Sequence, residues 1–334
     1  MKIISKNFKL LAVFLMVLTF SACSDDDDGT QNVTLLNVVD TAIADSDLTS
    51  LVAALQRADL VDVLRNGDDW TILAPTNQAF SDYLNGTALE DVPVATLRNL
   101  LLNHVISARI PSVTITNAGS GYTNTNATGP NDEFLSIYYE YDTEATEAGV
   151  YFNGASRVEQ ADIFATNGVI HIIDEVIELP TIATFATTNP ALETLVVALQ
   201  YADTESPTVP YITTVSDATA GPYTVFAPTN DAFANVLVEL DLTGFGEDEG
   251  ELNAATTDAV LLMHIVNGNI QSSALPNGDI TTIGSGVITA DNTAFTLTDG
   301  LDREIGIVTS LVDIQAVNGV VHVVDTVIRP GNAD

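Results

Sequence analysis

The chain has 334 residues, of which 46% are hydrophobic and only 16% charged, with a formal net charge of -35. The length fits two domains, each long enough to bury its own core, and the hydrophobic content excludes a disordered chain. So acidic a surface repels nucleic acid and anionic membranes and favours cations or cation-bridged partners.

Lys2, Lys6 and Lys9 precede an unbroken apolar run from Leu10 to Phe20, too short to span a bilayer comfortably, followed by Ser21, Ala22 and Cys23. Residues 1–22 therefore read as an export leader. Cys23 is the only cysteine, so no internal disulfide can form. The segment resembles the leader of bacterial lipoproteins, although Phe20 stands where that family usually has Leu, and the resemblance implies acylation at Cys23. A simple secretory leader with a free thiol is the other reading. Cleavage before Cys23 would leave seven basic residues, all arginine. Residues 23–34 hold Asp25 to Asp28, four carboxylates that repel one another, and read as an extended acidic tether. Acidic residues after a lipidated cysteine resemble the signal of surface-exposed lipoproteins. The implied location is the outer membrane with the protein outside; a plain spacer would leave it facing the periplasm.

The remainder reads as two matching halves, 35–179 and 180–330. Asp45 to Gln56 carries Leu48, Leu51, Val52 and Leu55 at helical spacing, and Asn189 to Gln200 repeats it with Leu192, Leu195, Val196 and Leu199. Asp45 and Asn189 are expected N-caps, with Pro190 in the first helical turn. Thr71 to Phe80 returns as Thr224 to Phe233 with seven of ten positions identical. Both read as strand, Ala-Pro turn and helix, with Thr76-Asn77 and Thr229-Asn230 capping through side-chain oxygens. Leu100 to Ile106 matches Val260 to Val266 and places His104 and His264 on an apolar helical stripe.

Alternating runs follow and predict antiparallel strands at Phe134–Tyr141, Val150–Phe152 and Val158–Phe164, then at Val287–Thr289, Ala294–Thr298 and Ile305–Ile314. Offsets between the copies put insertions around Tyr201 to Pro222 and Gly244 to Glu251 in the second half. In the first half they point to Asn117–Asn131, a polar, glycine-rich stretch expected to be a surface loop. Each half ends on an Asn-Gly turn and a β-branched run, Asn167 to Ile177 and Asn318 to Ile328, expected to be a central strand covered on both faces. Alternation puts His171 and Asp174 on opposite faces, which argues against a dyad. Helices first and strands afterwards define an α+β domain.

The Thr-x-x-Ala-Pro-Thr-Asn-x-Ala-Phe block, the Leu-Leu-x-His segment and the closing Asn-Gly-Val-x-His strand, in this order and twice over, resemble the fasciclin (FAS1) domain. The resemblance implies two tandem β-sandwich wedges, each with a helical layer, and extracellular adhesion. Animal members bind cells through an Asp-Ile pair before the last strand and a Tyr-His region. The first corresponds to Asp162-Ile163 and Asp313-Ile314; the second keeps only His104 and His264, because Asn103 and Met263 replace the tyrosine. Ile163, Ile314, His104 and His264 also fit apolar core patterns.

No nucleophile elbow, zinc helix, phosphate loop or dinucleotide turn occurs. Asp241 to Gly246 lacks the oxygen ligands of a calcium loop, and Glu247 to Glu249 or Asp25 to Asp28 could hold calcium only weakly. The expectation is a non-enzymatic, surface-displayed adhesion protein without metal or cofactor. Its partner would be an extracellular protein or polysaccharide, with membrane contact through the lipid alone and no nucleic acid. The alternative is a glycan- or ligand-binding accessory lipoprotein of an uptake system. Tyr139 and Tyr141 on one face and Tyr138 on the other would then supply aromatic surface.

Overall fold

A computed structural model of the chain describes residues 35–205 and 207–331, so the leader, Cys23 and the Asp25–Asp28 run lie outside the described residues. Leu35–Asp334 forms one compact unit. Within it one α+β architecture occurs twice.

The first domain runs through α1 (Val38–Ala44), α2 (Thr49–Arg57), α3 (Val61–Asn66), β1 (Trp70–Pro75), α4 (Asn77–Leu84), α5 (Val94–Leu102), β2 (Val105–Ile106) and α6 (Ser112–Ala118). It then turns to strands: β3 (Ser120–Thr128), β4 (Phe134–Asp142), β5 (Gly149–Phe152), β6 (Ser156–Ala165) and β7 (Gly168–Ile173). The seven strands form one sheet in the order β2-β1-β7-β6-β5-β4-β3. Only β1 and β7 are parallel, flanked by β2 on one side and β6 on the other. The sheet curls until its ends meet, where the Asn126 amide donates to the Val105 carbonyl across 3.2 Å. Every residue of β7 is buried, because helices cover one face and the curled hairpins the other. Ile170 and Ile172 pack with α2 and α5 residues such as Leu51, Leu55, Leu97 and Leu101. Ile173 packs with Ile137, Val150 and Phe152. The period-two alternation of the last strand thus divides two cores.

The second domain repeats this with α7 (Ile182–Thr188), α8 (Glu193–Ala202), α9 (Tyr211–Ser216), β8 (Tyr223–Pro228), α10 (Asn230–Glu239), α11 (Ala254–Leu262), β9 (Ile265–Asn267), β10 (Gly278–Thr281), β11 (Val287–Asp291), β12 (Thr296–Thr298), β13 (Glu304–Gly306), β14 (Ile314–Ala316) and β15 (Gly319–Val324). Its strands divide into two sheets, β14-β15-β8-β9 and β10-β11-β12-β13. The expected strand Ile305–Ile314 is therefore two strands. In the first domain Val158 and Ile163 pair with Ile173 and Ile170; in the second, Ile307 bridges to Val324 and Ile314 pairs with Val321. Two more residues lie between the equivalent pairings in the second copy, and they form a turn closed by Leu311 N–H donating to the Val308 carbonyl. Because side chains alternate with period two, an even insertion leaves both faces as they were, and the extra pair is looped out as this turn between the two strands.

Two further expectations are corrected. Asn117–Asn131 is not a loop, since it completes α6 and forms β3. The sequence lacks an apolar alternation because β3 buries polar side chains with partners. Thr125 Oγ donates to the Leu135 carbonyl or to Asn103 Oδ1, and Asn126 joins the sheet ends. Nor do Asn77 and Asn230 cap their helices. The threonines do, each accepting from the N–H three residues on (3.1 and 3.2 Å). Asn77 Oδ1 instead accepts from Ser50 N–H of α2, and Asn230 Oδ1 from Thr194 N–H of α8. Each asparagine ties two helices together. Asp45 and Asn189 do cap, each in front of a 3-10 turn that leads into the helix.

Within the compact unit the first domain lays its β3–β4 face on the second. Tyr138, 2% exposed, belongs to the core of the second domain. Tyr122 stands edge-on to Phe185 with ring centres 5.6 Å apart, and its hydroxyl accepts from the Asn189 amide (3.1 Å). Gly129 lies so close to the Ala316 carbonyl that a Cβ there would come within 3.0 Å of it.

Candidate functional site

The Asp-Ile pairs lie beside β7 and β15, Asp162-Ile163 within β6 at a register irregularity and Asp313 just before Ile314 opens β14. Asp162 and Asp313 both adopt left-handed backbone angles, φ 61° and 55°, which non-glycine residues take up rarely and aspartate more readily than most. In each domain the carboxylate is bound at once. Ser112 donates both its N–H (2.8 Å) and its hydroxyl (2.5 Å) to Asp162, and Ser272 does the same to Asp313. Partial burial opposes the charge on Asp162, but the two Ser112 bonds outweigh it and hold the carboxyl below its ordinary range.

The four histidines fall into two pairs with opposite tautomers. His171 Nδ1 accepts from Asp162 N–H (3.3 Å) while its Nε2–H donates to the Ile110 carbonyl (2.9 Å). His322 repeats this with Asp313 and Ile270 at the same distances. His104 donates from Nδ1 to the Leu100 carbonyl (2.8 Å) and accepts at Nε2 from Ile177 N–H (2.9 Å); His264 does so with Val260 and Ile328. The tautomers follow from the partners, because a carbonyl can only accept and an amide N–H only donate. Burial lowers all four pKa values, to about 4 for His104 and His264. Both ring nitrogens of every histidine are held by main chain, which leaves none to move a substrate proton. His171 and Asp174 are indeed apart: Asp174 accepts from Arg157 N–H (2.7 Å) instead.

The Tyr-His region is equally internal. Asn103 is buried and donates to the Ile177 and Glu178 carbonyls, and Met263 packs in the second core of its domain. His104 and His264 are therefore core residues. Among the described residues no cluster of histidine, cysteine or acidic side chains is arranged to hold a metal, and Glu247 instead accepts from Tyr201 and from Ala254 N–H. The tyrosine strand does not form an aromatic face either: Tyr138 lies in the domain interface, Tyr139 packs on the core, and Tyr141 alone is exposed.

The two Asp-Ile edges differ in how they are covered. Ile314 is 2% exposed and Gln315 1%, because Gln315 N–H donates to Ser136 Oγ of β4 (3.0 Å) and the side chain bonds Asn269 and the Gly319 carbonyl. Their counterparts in the first domain, in the same register against the central strand, are Ile163, only partly buried, and Phe164, 50% exposed. A cleft of about 660 Å³ also opens between the domains, lined by Asp82, Tyr83, Asn153, Asp174 and Glu178 with Thr184 opposite. The aspartate brace was visible in advance: Ile110-Pro-Ser112 and Ile270-Gln-Ser272 recur at the offset of His104 and His264. The uneven covering of the two edges left no such mark.

Fold and site define a two-domain α+β protein whose repeated polar residues brace the fold and whose repeated edge is covered in one copy and open in the other. The fasciclin-domain family profile matches residues 46–180 and 190–330, and the chain belongs to the fasciclin family. Protein sll1483 of Synechocystis is 31% identical over 148 residues, 43% of this chain and 74% of that protein. Transforming growth factor-beta-induced protein ig-h3 of Sus scrofa is 27% identical over 299 residues, 86% of this chain but only 37% of its own length. The FAS1 domain pair of the insect cell adhesion molecule Fasciclin I has the same fold, with a TM-score of 0.50 at 17% identity, covering 84% of this chain and 96% of that one.

Proposed function

We propose that the protein is a non-enzymatic adhesion and matrix-interaction module, held at the outer face of the outer membrane by a lipid on Cys23. The observation that supports this reading is the open Asp162-Ile163-Phe164 edge, the one copy of the repeated element that the fold leaves free. An exposed strand edge with an apolar side chain at its centre is a surface suited to a macromolecular partner. A second reading, a glycan-binding accessory lipoprotein, would use the polar interdomain cleft and not the tyrosine strand.

Anchoring is tested by Cys23→Ser, which should move the protein from the membrane to the soluble fraction and block maturation. Unchanged fractionation would remove the lipoprotein from the proposal. Adhesion is tested by retention of the unlipidated protein on immobilised matrix across a salt series, with and without calcium. A net charge of -35 makes binding to an acidic matrix strengthen as salt shortens the screening length toward about 8 Å at physiological ionic strength, or as divalent cation is added. Binding to a neutral glycan should hardly respond to salt. Tight binding at low salt that fades as salt rises would identify a basic partner and replace both readings.

A further inference from the structure

We propose that the open β6 edge of the first domain docks the outer face of the β10–β11 hairpin of a second copy of this chain, so that copies add head to tail. The inference names the partner of the edge on which the adhesion reading relies, and it rests on that reading to this extent.

The chain already contains this interface once: β14 of the second domain is covered by β3–β4 of the first. Ser136 takes the outward N–H of Gln315, and Tyr138 lies against the second core. Strand β6 presents the same three positions in the same register, Ile163 opposite Ile170, Phe164 opposite Val169 and Ala165 opposite Gly168, as Ile314, Gln315 and Ala316 do against Val321, Val320 and Gly319. Among the described residues no side chain takes the N–H of Phe164.

The covering half of the interface also has an open copy. In the second domain β10 and β11 stand where β3 and β4 stand in the first, as the successive hairpin strands after the histidine helix. Their inward residues Ile280, Ile288 and Ala290 are buried, while Asp279, Thr281, Val287, Thr289 and Asp291 face out, with Val287 47% exposed. Thr289 offers a hydroxyl where β4 offers Ser136, and Val287 offers apolar surface to Phe164. The two open halves are different surfaces on one chain, so their pairing is heterologous: each added copy exposes the same edge again, and nothing stops growth at two. Charge opposes the contact, since both copies are acidic, and salt should therefore promote it.

The test uses the compact Leu35–Asp334 unit, which holds both domains and lacks cysteine, in sedimentation velocity at rising concentration from about 0.05 M to about 0.5 M NaCl. The expected result is a mass that rises with concentration and salt past the dimer. Phe164→Asp and Val287→Asp, both at exposed positions and with unchanged melting, should each stay monomeric. Mixed together they should form dimers and nothing larger, because each retains one intact half. Phe164→Cys mixed with Thr289→Cys should cross-link on oxidation, where neither does alone. A monomer under all conditions, a closed dimer, association indifferent to both aspartates, or no cross-link would overturn the inference. Matrix retention by a chain that stays monomeric would overturn it and leave the adhesion reading intact; assembly without retention would do the reverse.

Discussion

Asn167→Ala is expected to destabilise the first domain by about 3–5 kcal/mol, with Asn318→Ala doing the same to the second. Asn167 is buried, and its side chain joins three segments. Oδ1 accepts from Val38 N–H at the start of α1 (2.9 Å), and Nδ2 donates to the Leu64 carbonyl of α3 and to the Gly67 carbonyl after it (both 2.8 Å). Asn318 does the same with Ile182 N–H and the Val215 and Asp217 carbonyls. Alanine leaves a buried amide and buried carbonyls without partners, and the penalty for such orphaned groups exceeds the net gain of the bonds themselves. Asparagine is required because only a side chain with both a donor and an acceptor fits; Asn→Asp would keep the acceptor, lose the donor and bury a charge. Trp70, the sole tryptophan, begins β1 and donates its backbone N–H to the Asn167 carbonyl, so its fluorescence during urea unfolding reports the first domain directly. A loss below about 1 kcal/mol would show that the clamp is not a stabilising element.

Acidification from pH 6.5 to 4 should cost each domain about 3 kcal/mol through His104 and His264 alone. Burial lowers both pKa values from 6.5 to about 4, so between these limits the unfolded chain binds a proton that the folded one refuses. Stability is therefore complete above pH 6.5 and falls as the pH drops through the window. The structural reason is that Nε2 must accept from Ile177 or Ile328 N–H, which an imidazolium cannot do. His171 and His322 act in the same direction. Glu140, raised by burial, works the opposite way at the acid end. Asp162 and Asp299, both held low, add losses only at still lower pH. Urea titrations at several pH values, repeated with His104→Gln, would check this. A wild-type stability that is level between pH 6.5 and 4.5 would refute it.

Much of the fold was legible because its signals are local and occur twice. The Ala-Pro-Thr turn, the Leu-rich helices and the β-branched closing strand are short-range patterns, and the second copy separates signal from accident. Strand β3 was hidden because its buried positions include Thr125 and Ala127 and not a run of large apolar residues. The broken strand in the second domain depended on two added residues whose effect appears only against the pairing of the neighbouring strand. The apolar stripe around His104 and His264 was legible in the sequence, but the opposite tautomers of the two histidine pairs required knowing which main-chain group faces each nitrogen.

The sequence by itself determined that there are two fasciclin domains, where their helices and central strands run, and that the duplicated polar residues lie at equivalent places, since all of these follow from spacing and turn chemistry within a few residues. Tertiary structure alone decided that Asn77 and Asn230 join helices, that Asn167 and Asn318 clamp three segments each, and that one Asp-Ile edge is covered while its twin is open. The covering contact pairs Ser136 with Gln315, 179 residues apart, and a contact between such distant residues is set by how whole faces pack, which no local pattern records.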